Sequence, residues 1–340
     1  MKDTVFRPRY YSRVQSLSHF FALSWLLWFL VSCERRELTY YMEAEITVTA
    51  DWSRAGVPEE KDDGATLVIF PQDGGEPRVV LTGERERTVV RLPRGTYDAI
   101  LFNRSFTDFS NLLFTGKESL ESLEAYAKEV VTRADTRVIV SSPDKLASAT
   151  VRNFKVTDDM LGNYAPPASR GACPEGACKM HFTPTPLTRH IWVTLNVKGL
   201  HNVREVRCTL NGVPLSVFLH DGRAGEELGG QQFTVGNPVF AEGSFTDGRL
   251  TGELDVFGFD RSLSHSIALK ALLVDGKTVV EQMLTDITVE EETDSAGNIT
   301  LFIDASVPET FPDVKPEGGS DSGFDVDVDE WEDEEVDVPV

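Results

Sequence analysis

From Tyr40 onward the apolar residues of the chain recur at every second position. In "MEAEITVTADW" (42–52) Ala44, Ile46, Val48 and Ala50 share one face, and Glu43, Glu45, Thr47 and Thr49 the other. A helix would repeat at 3.6 residues, so this period predicts a half-buried strand. The same alternation, or a short apolar run, returns in "ATLVIFP", "PRVVLTG", "RTVVRLP" and "TYDAILFN", separated by Gly-Gly, Pro and Asp-Gly turn signals. The first half therefore reads as a β meander. Beyond residue 186 strand patterns resume in "RHIWVTLNVKGL", "VREVRCTLNG", "PLSVFLHDG", "LTGELDVFGF", "HSIALKALLVDG", "KTVVEQMLTDITV" and "NITLFIDASV". Short strands at such spacing predict a sandwich or barrel. Two tandem β-sandwiches are the economical account.

Two stretches depart from the strand period. "GKESLESLEAYAKEVV" (116–131) places Leu120, Leu123, Ala127 and Val130 on one helical stripe. "SSPDKLASA" (141–149) offers Ser142 as an N-cap and Pro143 at the first helical position. Both are expected to be short helical insertions, surface helices or turns, packed over a sheet. Between Gly162 and Pro186 the sequence becomes dense in Pro, Gly and small residues, which sets the expected boundary between an N-terminal domain, 33–185, and a C-terminal one, 186–312.

The front end follows other rules. Lys2, Arg7, Arg9 and Arg13 precede an apolar core from Phe20 to Val31, too short to span a bilayer comfortably because a spanning helix needs roughly 20 apolar residues. Residues 1–32 read as a signal peptide. Leu30, Val31, Ser32 and Cys33 match a bacterial lipobox, whereas the small-x-small site of ordinary signal peptidase has no comparable match. The remaining alternative is an uncleaved anchor ending in a buried cysteine. An acylated Cys33 would bind a membrane firmly, since roughly 0.8 kcal/mol accrues per buried methylene and stable anchoring takes two lipid signals. Cys33 is thus the expected lipidation site, carrying palmitate-type chains, and the rest of the chain is expected to be exported.

The whole chain holds 33 basic against 55 acidic residues, a formal net charge of -22. Nucleic acid and anionic surfaces, which reward basic patches, are not expected partners. The imbalance is concentrated at the end: from Asp313 the chain holds twelve acids and one lysine, so 313–340 reads as an acidic, unfolded tail. Its Asp325, Asp327, Asp329 alternation lacks the glycine that turns an EF-hand loop. In "RGACPEGACKMHF" Cys173 and Cys178 enclose a Pro-Glu-Gly turn, a candidate disulfide in an oxidising compartment; a metal site with His181 as third ligand is the weaker alternative. Cys208 alternates with Val203 and Val206 and is expected in the core.

No catalytic constellation emerges. His181, His190, His201, His220 and His265 occur singly, with no His-x-x-x-His pair, no Gly-x-Ser-x-Gly elbow and no Walker loop. "DGRAGEELGGQQ" (221–232) is glycine-rich but opens no helix, so it is no phosphate cradle. An enzyme is not expected, and neither cofactor nor metal is called for. What remains is binding through surface or backbone. Trp52, Trp192 and Trp331 are candidates for stacking on sugars, although Trp192 lies in the apolar run "HIWVTLNV" and is expected in the core.

The order of motifs carries one resemblance. A lipobox at Cys33 is followed by a strand ending at Asp51-Trp52, by "RLPRGTYDAILFN" (91–103), "SPDKLASATVRNFKV" (142–156), "VTLNVKGLHNVREVRCTLNGV" (193–213) and "LDVFGF" (254–259). This series resembles the Bacteroidetes-type fimbrillin and fimbrial-anchor lipoproteins over residues 33–310. The resemblance implies an all-β fold of two tandem transthyretin-like β-sandwich domains. It further implies an outer-membrane, lipid-anchored anchor or accessory subunit of a surface fimbria, with other fimbrial subunits as partners joined by β-strand addition. Stalk subunits of that family are trimmed after an arginine following the first strand, and Arg54 holds a comparable place, where an ordinary loop arginine would serve equally. Only "GFDVDV" in the tail alternates as a donor strand should, so a strand acceptor or terminal subunit is the expected role. A surface glycan-binding lipoprotein is the alternative.

Overall fold

A computed structural model of the chain describes residues 40–57, 64–130, 138–163, 178–295 and 298–316. The chain divides into two units, Met1–Met42 and Glu43–Val340. Of the first only residues 40–42 are described, and every strand lies in the second. Its strands begin with β1 (Glu43–Ala50), β2 (Ala65–Pro71), β3 (Arg78–Thr82), β4 (Arg87–Pro93), β5 (Gly95–Asn103), β6 (Leu112–Thr115), β7 (Glu124–Ala127), β8 (Ile139–Ser141), β9 (Ala147–Val156) and β10 (Lys179–Phe182). They continue with β11 (Thr185–Pro186), β12 (Arg189–Val197), β13 (Val203–Pro214), β14 (Ser216–Phe218), β15 (Leu228–Phe240), β16 (Gly248–Val256), β17 (Ser266–Leu273), β18 (Val279–Leu284), β19 (Ile287–Thr293) and β20 (Ile299–Ser306). The fold is all-β, as the period-two pattern predicts.

In the N-terminal part a three-stranded sheet, β10-β1-β4, faces a five-stranded one, β11-β9-β5-β2-β3. The alternation of β1 sends Ala44, Ile46 and Val48 into the space between them, where they meet Leu67, Ile69, Val90, Leu92, Met180 and Phe182. Strands β2 and β5 are apolar on both faces because both faces are covered. Leu67 and Ile69 of β2 serve the first core, while Val68 and Phe70 join Ile100 and Phe102 of β5 in a second. That second core is a seam shared with later parts of the chain: Leu120, Leu123, Leu187, Leu215, Val217 and Phe257 close it. A small sheet, β14-β7-β6, lies along this seam, and β8 pairs in parallel with β15.

The C-terminal strands follow the order β18-β17-β13-β15-β16-β12-β20-β19 around a third core. Strand β15 carries the path from one layer to the other. Its residues Leu228 to Val235 pair with β13, and the register to β16 shifts between Gly236 and Val239, beside Asn237 at φ 51°. Such a shift bends a strand and lets a single sheet wrap one core. Cys208 is buried in that core, and burial pushes its thiol up to about 12.

Of the two stretches expected as helices or turns, neither is helical; the helical segments among the described residues are two short 3-10 turns, Asp158–Leu161 and Leu200–Asn202. Residues 116–123 make a tight turn instead, with Gly116 at φ 64° and the Ser122 hydroxyl donating to Gly116 O. The chain then enters β7, where Ala125 and Ala127 are buried beside Leu123. Leu123, Ala125 and Ala127 are also spaced by two, and pairing to β6 and β14 selects that period over the helical one. In the second stretch Ser142 caps no helix. Its hydroxyl donates to Asp255 O and accepts from Asp255 N, tying the segment to β16 before β9 begins.

Candidate functional site

The sheet edges and faces are the surfaces that the described strands offer a partner. At the N-terminal flank β3 pairs only with β2 and β4 only with β1 among the described residues. The two edge strands are consecutive in sequence, joined by residues 83–86, and sit in opposite sheets. Arg78 reaches between the sheets, its Nη1 donating to Arg91 O at 2.7 Å. The linker is pinned by Trp52, whose Nε1–H donates to Arg85 O at 2.9 Å beneath the Arg85 guanidinium, 5.5 Å from the ring centre. On β3 the side chains of Val79 and Leu81 are 49% and 65% exposed, while Val89 of β4 is exposed on the other sheet between Arg87 and Arg91. An open edge with uninterrupted apolar residues is what soluble proteins ordinarily avoid.

The C-terminal flank repeats the arrangement. Strands β18 and β19 are consecutive, joined by Thr285 and Asp286, and end the two limbs of the wrapped sheet. Here the edges are defended. Glu281 stands between exposed Val279 and Met283 and pairs with Lys270 at 2.6 Å. The Gln282 amide donates to Glu309 O and accepts from Glu309 N, drawing the chain after β20 against β18. Glu290, Glu291 and Glu292 line β19. The β17–β18 turn is held by Asp275, which accepts from the amides of Lys277 and Thr278 and from the Thr278 hydroxyl; these bonds hold its carboxyl below the usual range.

The outer face of the C-terminal sheet corrects one expectation. Trp192 is 44% exposed rather than in the core, because Ile191, Val193 and Leu195 take the inward positions of β12. The same alternation was legible in "HIWVTLNV". Trp52 is buried, and Trp331 lies outside the described residues. So do Cys33 and Cys173. Cys178 is buried and disulfide-bonded. His181 shares a 2.9 Å hydrogen bond with the Thr49 hydroxyl, and no group of His, Cys, Asp and Glu suited to a metal occurs among the described residues. Arg54 is exposed in the turn after β1. No helix among the described residues is long and apolar enough to cross a membrane.

These features define an all-β protein whose accessible chemistry is edges and faces. The chain belongs to the family described as a domain of unknown function (DUF5119), which matches residues 32–233. No curated protein matches the sequence. Among solved structures, a putative adhesin from Bacteroides ovatus is similar at 18% identity and a TM-score of 0.54, covering 74% of this chain and 86% of its own. A putative adhesin from Bacteroides thetaiotaomicron aligns at 14% identity and 0.45, over 70% of this chain and 79% of its own. The fimbrial anchor protein Mfa2 of Porphyromonas gingivalis aligns at 10% identity and 0.42, over 79% of this chain and its entire length. Of these three, the first is close enough to speak for a shared fold. The fold is thus shared with a putative Bacteroides adhesin. None of the three is described as an enzyme.

Proposed function

We propose that the protein is an exported lipoprotein, anchored through Cys33 in the outer membrane, that serves as an anchor or accessory subunit of a surface fimbria and joins its neighbour by β-strand addition. The carrying observation is the open edge of β3, with Val79 and Leu81 exposed and no charge between them on that face. An incoming strand would pair with the free main-chain groups of β3 and cover both side chains. The lipobox before Cys33 and the fold shared with the Bacteroides ovatus protein support the envelope setting. In this reading the two sandwiches, 33–185 and 186–312, are transthyretin-like, Cys173 is the partner of Cys178, and the acidic tail from Asp313 stays outside both.

Affinity capture of the tagged full chain from native cells in mild detergent tests the reading. The expected result is a β-rich subunit that remains attached until the sample is boiled, with Cys33→Ala moving the protein out of the membrane fraction. A bare monomer in both lanes would overturn strand-mediated assembly. An unchanged membrane fraction for Cys33→Ala would overturn the anchor.

A further inference from the structure

The outer face of the sheet β16-β12-β20-β19 carries an ordered row of side chains that strand addition does not use. Register pairs Glu253 with Trp192, Trp192 with Phe302 and Phe302 with Glu290, so four adjacent strands present carboxylate, indole, phenyl and carboxylate in line. At about 4.8 Å between strands the row is roughly 14 Å wide. Trp192 is half exposed and Phe302 partly so, while the alternate residues of both strands are buried beneath them.

The indole is held in place. His190 meets Trp192 edge-on, with ring centres 5.1 Å apart and an interplanar angle of 82°. His190 is itself bracketed by Asp255, 3.0 Å from Nδ1, and Glu253, 3.4 Å from Nε2. The Asp255 backbone is fixed in turn by the Ser142 hydroxyl. Ordering an aromatic platform before the ligand arrives lowers the entropy that binding must overcome.

We propose that this row is a binding site for a neutral saccharide. Strands β12 and β20 are interior, with their main-chain groups committed to ladders on both sides, so the face has no free backbone to pair with a peptide strand. It presents side chains alone: aromatic faces to cover the C–H face of a sugar ring, and carboxylates on either side to accept from its hydroxyls. The surrounding carboxylates, Asp255 included, repel anionic glycans such as uronates. This assignment does not depend on the fimbrial reading, because the row and β3 belong to different sheets.

The test is native affinity electrophoresis of the full chain in detergent, through gels containing a neutral glucan, mannan or galactan, with polygalacturonate as the anionic probe and a lysine-rich peptide as the cationic one. At least one neutral polysaccharide should retard the protein and polygalacturonate should not. Trp192→Ala should weaken the retardation about tenfold or more, Trp192→Phe should keep part of it, and Glu253→Gln should weaken it without altering the melting curve. Should Trp192→Ala fail to fold, Trp192→Phe and Glu253→Gln decide. No retardation by any neutral probe, or unchanged retardation in these variants, would overturn the site. Salt-sensitive binding of the lysine-rich peptide alone would overturn it too, marking the face as a cation surface.

Discussion

At the N-terminal flank, β3 and β4 leave opposite sheets without a further strand among the described residues, with Val79, Leu81 and Val89 in solvent. At the C-terminal flank, β18 and β19 leave the same kind of opening but carry Glu281, the Gln282–Glu309 tie and a run of three glutamates. What sets β3 apart is edge chemistry: Val79 and Leu81 have no charge between them on their face, whereas Val89 of β4 lies between Arg87 and Arg91. Inward and flanking charges on an edge strand discourage pairing with another chain, and an edge lacking them is either an aggregation hazard or a docking strand. Under the proposed strand addition, β3 is the edge that a partner would use.

The largest effect should come from the seam between the N-terminal sheets and the later strands. Phe102 is fully buried there, and Phe102→Ala should cost about 3–5 kcal/mol in a urea melt. A loss under about 1 kcal/mol would show that the seam contributes little to the fold and that the flanks belong to independent bodies. Next in size, the paired change Val79→Lys and Leu81→Lys should reduce boil-stable capture of a partner about tenfold or more while stability changes little, since both side chains are exposed. The matching change at β18, Val279→Lys with Met283→Lys, should leave capture intact. Equal losses at both flanks would dissolve the contrast.

The smallest effect concerns the turn that starts the defended edge. Asp275 titrates below its ordinary value because its hydrogen bonds to Thr278 and Lys277 favour the charged form. A carboxyl depressed in the folded state stabilises above its unfolded value, about 3.9, and that stabilisation is lost as pH falls through the folded value. Asp275→Asn should thus lower the melting temperature modestly at neutral pH and leave it nearly unchanged in strong acid. A constant difference across that range would mean the charge plays no part in the turn.

Much of the fold was open to reading. Alternation in "MEAEITVTADW" and "NITLFIDASV" located β1 and β20, and the same rule, applied to Ile191, Val193 and Leu195, would have placed Trp192 and then Phe302 on the outer face. The longest strand, β15, escaped because Gly229, Gly230, Gly236 and Pro238 lower its local preference for strand. Leu120 and Leu123 misled for a different reason, since their spacing satisfies a helix and their burial comes from a turn against the seam.

Residue pattern alone determined the all-β class and the buried place of Cys208, because period and residue type are local properties. The tertiary structure decided which strands stand at the edges. "KTVVEQMLTDITV" reads as one strand, yet it breaks at Thr285 and Asp286 into β18 and β19, which end different limbs of the sheet. Edge or interior depends on which distant segment supplies the ladder partner. So does the row Glu253, Trp192, Phe302 and Glu290, drawn from four strands and aligned only by register.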